Sequence, residues 1–275
     1  MSQSKALVTI GKSSRTPFKH WILDSELARL VGIFSNPLAA RKTPCAPTRS
    51  CPFHVIDLCA GDGLSTEHDE RSSPSIITSR LQEARFSNVP VKATYIERAP
   101  NTFDLLSMNI VTKAPFVELI CDDARRYRLP CRKRQPIFVH ADPNNIDQWP
   151  ISEELASTLS ETTTMLCTLG CNAGGLKRKS FEERQKWFSQ LESVIKPMPA
   201  YHDAMLVELQ GDASQWAYLL RVPKRWSSAT ARKIVSAGKK YLKWELSIAS
   251  WRESRSGFEE MTRRLFLTKT ERGVA

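Results

Sequence analysis

The segment HVIDLCAGDG (His54–Gly63) decides the fold. Val55, Ile56 and Leu58 are not interleaved with polar residues in strict alternation, which reads as a strand buried on both faces. Gly61 and Gly63 then mark a sharp turn whose bare backbone lets a ligand approach main-chain N–H groups. Strand-like runs recur outward from it: VKATYIE (Val91–Glu97), FVELICD (Phe116–Asp122), PIFVHAD (Pro136–Asp142), TMLCTLG (Thr164–Gly170), AMLVELQ (Ala204–Gln210) and WAYLLRVP (Trp216–Pro223). Helical candidates lie between them, at Ser75–Phe86, Ala99–Ala114, Ser152–Thr162 and Ser180–Lys196. Strand–helix alternation implies parallel pairing through right-handed crossovers.

The expected fold is therefore a three-layer, open, mostly parallel α/β sheet. Only Gly211–Gln215 separates the last two strand candidates, too little for a crossover helix, so they are expected to form an antiparallel hairpin at one edge. Ahead of the sheet, Trp21, Ile22, Leu27, Leu30, Val31 and Phe34 fall at helical intervals, and Asn36 and Pro37 stop that helix. NPLAARKTPCAPTRSCP (Asn36–Pro52) reads as an exposed connection, and STEHDERSSPS (Ser65–Ser75) as a loop. The expected division is residues 1–50 as arm, helix and linker, 51–225 as the α/β domain, and 226–275 as a C-terminal extension.

Composition narrows the class. At 275 residues, with 41% hydrophobic and 25% charged, the chain can bury a substantial core, which excludes wholesale disorder. No run approaches the roughly 18 apolar residues of a membrane span, and MSQSKALVTIGKSS at the start lacks a signal-peptide pattern, so a cytoplasmic protein is expected. Seven cysteines are too few and too odd in number for a disulfide framework, and none forms the paired spacing of a structural zinc site, so no metal is expected. The formal charge of +11 is concentrated late in the chain: basic clusters between Arg221 and Arg272 are interleaved with Trp226, Tyr241, Trp244 and Trp251. Such a tail suits a nucleic-acid surface, and equally a solvated helix face with ordinary core tryptophans.

In an open α/β sheet ligands bind beyond the carboxyl ends of the strands. There the sequence places one acid after another. Asp57 ends the first strand, to organise the loop or meet a ligand ammonium; Glu97 ends the second, where a carboxylate accepts from vicinal ribose hydroxyls. Asp123, followed by Ala124, ends the third and suits an adenine amino group, and Asp142 ends the fourth. Together they predict a nucleoside-like ligand along one rim.

VIDLCAGDG, the acid of YIE, the DA of CDDA and the DPNN element (Asp142–Asn145) resemble the ordered motifs of class I S-adenosylmethionine-dependent methyltransferases, with a Rossmann-like fold. The resemblance implies S-adenosyl-L-methionine as cofactor: Asp57, Ala60, Gly61 and Gly63 beside its methionine part, Glu97 on the ribose, Asp123 and Ala124 on the adenine. A nicotinamide fingerprint fits less well, because Thr66 stands where the third glycine belongs. KHWIL (Lys19–Leu23) and TLGCNAGG (Thr168–Gly175) are also similar to the three-Cys-motif partner family, TcmP, of bacteria and their mobile elements.

DPNN is similar to the DPPY element of exocyclic-amine methyltransferases, with Asn144 for the second proline and Asn145 for the aromatic, so base stacking falls to another residue such as Trp149. Asp142 and Asn144 are expected to clamp the acceptor, with His140 orienting Asp142 or acting as base, or simply packed in the core. Asn172 with Gly174 and Gly175 forms a permissive loop on the same side, followed by Lys177, Arg178 and Lys179, which suits a phosphate and equally a solvated loop. Cys171 is a weaker candidate, as a thiolate nucleophile. The expected function is a methyltransferase acting on nucleic acid; the alternative is a non-catalytic methyltransferase-like module with a protein or nucleic-acid partner.

Overall fold

A computed structural model describes residues 16–41, 46–64, 72–110, 114–129, 135–142, 151–152, 154–155, 163–167, 202–209, 217–223 and 246–250. The chain opens with helix α1 (Thr16–Ser35), whose Ile22, Leu23, Leu27, Leu30, Val31 and Phe34 are buried. Removing such side chains from water contributes about 1.5–3 kcal/mol each, which holds the helix on the domain. Glu26 is buried in the same stripe, where Arg29 donates to it from one turn on at 2.6–3.3 Å. Asn36 interrupts the helix and its Oδ1 accepts from Leu38 and Ala39, capping α2 (Pro37–Arg41). The stretch read as a plain connection thus begins with a short helix. Proline is at home in that first turn, where its missing N–H has no partner to lose.

The sheet follows: β1 (Phe53–Asp57), β2 (Val91–Glu97), β3 (Val117–Cys121), β4 (Ile137–Ala141), β5 (Thr163–Cys167), β6 (His202–Leu209), β7 (Ala217–Pro223) and β8 (Leu246–Ser250), in the order β3-β2-β1-β4-β5-β7-β6-β8. The first five strands run parallel to one another, and β7 is antiparallel to both β5 and β6. Every residue of β1 and β4 is buried, so both faces of the sheet are covered and the expected mostly parallel α/β architecture is the observed one. The expected β6–β7 hairpin forms, from His202↔Pro223 to Glu208↔Ala217, but it does not end the sheet: β8 adds antiparallel to β6. The mixed composition of LSIAS, set among basic and aromatic residues, hid that strand.

Between β1 and β2 lies α3 (Ser73–Phe86), and between β2 and β3 α4 (Pro100–Ile110). Ser72 caps α3 with Pro74 in its first turn, so the helix starts inside the segment read as a loop. Helices α1, α3 and α4 share one cluster with Phe53, Val55, Ala93, Tyr95 and Phe138, alternate residues that mark one face of the sheet. Arg80 on α3 grips Asp24 on α1 at 2.8 and 2.7 Å, fixing the two helices side by side.

The other face carries a polar chain that runs from buried His54 and Thr94 out to Glu118 and Lys92 at the surface. His54 Nε2 lies 2.8 Å from Thr94 Oγ1, Thr94 donates to Glu118 at 3.0 Å, and Lys92 meets Glu118 at 2.9 Å. Because the threonine proton goes to the carboxylate, His54 donates through Nε2, and its Nδ1 is an acceptor with no partner among the described residues. Burial and nearby Lys92 push the imidazole down to about 4, so it is neutral near pH 7.

Candidate functional site at the carboxyl edge

The parallel register sets Asp57 level with Tyr95 on β2 and His140 on β4, and Glu97 level with Cys121 on β3. The acids expected after successive strands therefore share one edge. Asp57 is fully buried. Its Oδ1 accepts from Cys59 N at 3.2 Å and lies 3.1 Å from His140 Nδ1, while Oδ2 has no hydrogen-bond partner among the described residues. Backbone bonds reinforce the join: Leu58 N donates to His140 O at 2.9 Å, and Ala60 N to Ile96 O at 3.0 Å. The turn after β1 is thereby pinned to β4 on one side and β2 on the other.

Gly61 and Gly63 both adopt positive φ, +66° and +68°, the region in which glycine avoids the Cβ penalty. Their surroundings differ. A Cβ on Gly63 would stand 3.0 Å from Leu106 Cδ1 and 3.1 Å from Ile110 Cγ1, so the turn rests directly on α4. A Cβ on Gly61 would meet nothing within 4 Å among the described residues, so the backbone there faces away from the packed helices. Asn109 Nδ2 donates to Asp62 O at 2.9 Å and closes the turn against the same helix.

Glu97 is half-buried, and both of its oxygens are engaged: Oε2 accepts from Gly61 N at 3.0 Å and Oε1 from Ala99 N at 2.8 Å. Each oxygen retains lone-pair capacity for a further donor. Asp123 caps the 3-10 turn Ala124–Arg126 and is chelated by the Arg125 side chain, which donates to it through Nε at 2.9 and 3.0 Å and through a terminal nitrogen. That guanidinium holds the Asp123 carboxyl down at about 2. Ala124 is buried behind it. Sequence reasoning missed Arg125 and Asn109; the Asp-x-Arg spacing in DDARR is the signal for the first, while nothing local announces the second.

His140 is buried on β4 and Asp142 half-buried immediately after it. Asn144, Asn145, Trp149, Cys171, Asn172, Lys177 and Arg178 lie outside the described residues, as do the basic clusters after Pro223. No group of three or more His, Cys, Asp or Glu side chains among the described residues is placed to hold a metal, and no helix among them is long and apolar enough to cross a membrane.

Solved structures align with much of this chain. Protein LPL1258 of Legionella pneumophila, of the DUF519 family, aligns over 86% of this chain and 95% of its own at 11% identity, with a TM-score of 0.52. The plantazolicin methyltransferase BpumL in complex with SAH covers 76% of this chain and 85% of its own at 12% identity and a TM-score of 0.41. M. jannaschii TYW2 in complex with AdoMet covers 78% and 77% at 15% identity and a TM-score of 0.38. At these identities the likeness to LPL1258 is one of fold. No protein-family model matches the sequence, and neither does any curated protein.

Proposed function

We propose that this chain is an S-adenosylmethionine-dependent methyltransferase acting on nucleic acid. The observation that carries the reading is the Gly61 N to Glu97 Oε2 bond of 3.0 Å, which couples the glycine turn after β1 to the acid after β2 at the edge where α/β sheets take their ligands. The residues present fit the cofactor. No described residue crowds the Gly61 backbone, Glu97 has acceptor capacity for ribose hydroxyls, and the buried, unpartnered Asp57 Oδ2 calls for a donor such as an ammonium or a bridging water. Ala60, Gly61 and Gly63 would border the methionine part, and Asp123 with Ala124 the adenine.

When bound, the cofactor supplies an electrophilic methyl on a sulfonium. The chain's own task is then alignment and exclusion of water, because an in-line transfer needs the reacting atoms about 3–3.5 Å apart. Asp142, standing directly after β4, would accept from the acceptor amine, with Asn144 as its partner in the clamp. Asn145, Trp149, Asn172, Lys177 and Arg178 are the proposed substrate contacts. His140 is held through Nδ1 on Asp57, which fixes its ring and leaves Nε2 as the nitrogen that would act toward the acceptor side.

One observation favours a second reading, a non-catalytic methyltransferase-like module. Asp123 is chelated by Arg125, and a site built to receive adenine would leave that carboxylate available. The narrower resemblance to the TcmP partner family belongs with this reading. Calorimetry with S-adenosylmethionine, followed by radiolabelled methyl incorporation into RNA, DNA and protein pools, tests both. Binding with incorporation into nucleic acid supports the enzyme; binding without transfer to any pool supports the module; absence of binding removes the cofactor.

A further inference from the structure

At the opposite edge of the sheet, away from the glycine turn, a hollow of about 380 Å³ is lined by Arg49, Pro52, Arg85, Val89, Pro90, Val91, Pro115 and Phe116. Its construction follows from how the chain enters three neighbouring strands. Pro52 directly precedes β1, Pro90 directly precedes β2, and Pro115 with Phe116 precedes β3. Adjacent strands lie about 4.8 Å apart; continuing the register sets Pro52 level with Pro90 and Pro115 level with Val91, and all three prolines border the hollow where the sheet begins. Proline carries no N–H, so this wall is apolar where strand ends usually present donors.

Two cations stand over it. The Arg85 guanidinium lies 5.3 Å from the centre of the Phe116 ring, and its chain neighbour Phe86 is 80% exposed. Neither Arg49 nor Arg85 has a carboxylate partner among the described residues, whereas Arg80, earlier on the same helix, is held by both Asp24 and Glu83. Flat apolar rings, a guanidinium already stacked on an aromatic face and an unpaired arginine are the chemistry that holds the bases and phosphates of a single strand. The volume suits one nucleotide unit, and two guanidiniums with no carboxylate partner among the described residues favour a polyanion over a neutral peptide.

We infer that this hollow is a binding site for single-stranded nucleic acid, remote from the carboxyl edge, with a base against the Pro52–Pro90–Pro115 and Phe116 wall and flanking phosphates on Arg49 and Arg85. The inference rests on the nucleic-acid reading proposed above and adds to it a second contact that holds substrate without touching the cofactor.

Fluorescence anisotropy of the full chain with a labelled short oligouridylate, over a salt series, tests it. The double variant Arg49→Gln, Arg85→Gln should bind about ten-fold or more weakly, with a log–log salt slope shallower by about 1.4, as two lost phosphate contacts require. An iodouracil-substituted oligomer should also photo-crosslink to Phe116. Unchanged affinity and slope in the double variant overturn the site. So does binding of a glutamate-rich peptide that the double variant loses while neither protein binds the oligomer, which would assign the hollow to an acidic protein partner. Calorimetry with S-adenosylmethionine on both proteins separates the two claims: equal cofactor affinity with lost oligomer binding supports the hollow, and a wild-type chain that binds the oligomer but no cofactor leaves the hollow standing and removes the methyltransferase.

Discussion

His140 Nδ1 and Asp57 Oδ1 lie 3.1 Å apart across the ends of two neighbouring strands, with side chains 3% and 0% exposed. The contact joins the strand that precedes the proposed acceptor clamp to the strand that precedes the glycine turn. His140→Leu leaves Cys59 N as the remaining donor to Asp57 among the described residues, and should lower stability by about 1–3 kcal/mol. A urea titration should show a lower midpoint at unchanged slope; a change below about 0.5 kcal/mol would show that the pair ties nothing together.

The two glycines of the turn should respond differently. Gly63→Ala combines a positive φ, which costs about 1–2 kcal/mol, with a Cβ pressed against Leu106 and Ile110, so it should be strongly destabilising. Gly61→Ala carries the φ penalty alone and should fold, but it should weaken S-adenosylmethionine binding by projecting a methyl into the space left beside the backbone. Thermal unfolding and calorimetry on the pair read the difference. Equal cofactor affinity in Gly61→Ala and wild type would place the ligand elsewhere.

Glu97→Ala should reduce cofactor affinity by about 1–3 kcal/mol, because ribose hydroxyls lose their acceptor and the Gly61 amide loses its anchor. Calorimetry measures this directly. An unaltered dissociation constant would limit Glu97 to bracing the turn.

His54 makes stability depend on acidity. In the folded chain it takes a proton only near pH 4, and in the unfolded chain near 6.5, so between these values the unfolded state binds more protons. Stability should fall as pH drops through that window, by at most about 3 kcal/mol. His54→Gln keeps a donor for Thr94 and cannot titrate; the wild-type minus variant difference, measured by denaturant unfolding from pH 7 to 4, should shrink steadily on acidification. A constant difference would rule out His54 as the titrating group.

How far the sequence discloses this molecule depends on how local the determinant is. The unbroken apolar stretch Val55–Ile56 and the paired glycines carry burial and turn within a few residues, so β1 and its loop are legible, as is the helical stripe from Ile22 to Phe34. The β6–β7 hairpin is legible because Gly211–Gln215 is too short for any other connection. β8 is not, because its place beside β6 is set by the other strand's open edge and not by Leu246–Ser250 itself. The site divides in the same way. The acids at the strand ends can be seen in the chain, but whether a carboxylate faces outward or is taken by a neighbour is settled by packing, as Arg125 on Asp123 and the amides on Glu97 illustrate. His140 is legible only as a histidine; its partner is 83 residues away.

The interleaved order β5-β7-β6-β8 has a consequence for synthesis on the ribosome. The half of the sheet from β3 to β4 is complete once residue 141 has emerged, with each new parallel strand able to dock as soon as it appears. The other half cannot grow in that manner. β6 leaves the exit tunnel before β7, the strand that must sit between it and β5, so a finished strand waits without a place while the edge of β5 stands unprotected. That interval is the stage at which the nascent chain most needs shielding from its neighbours on the polysome.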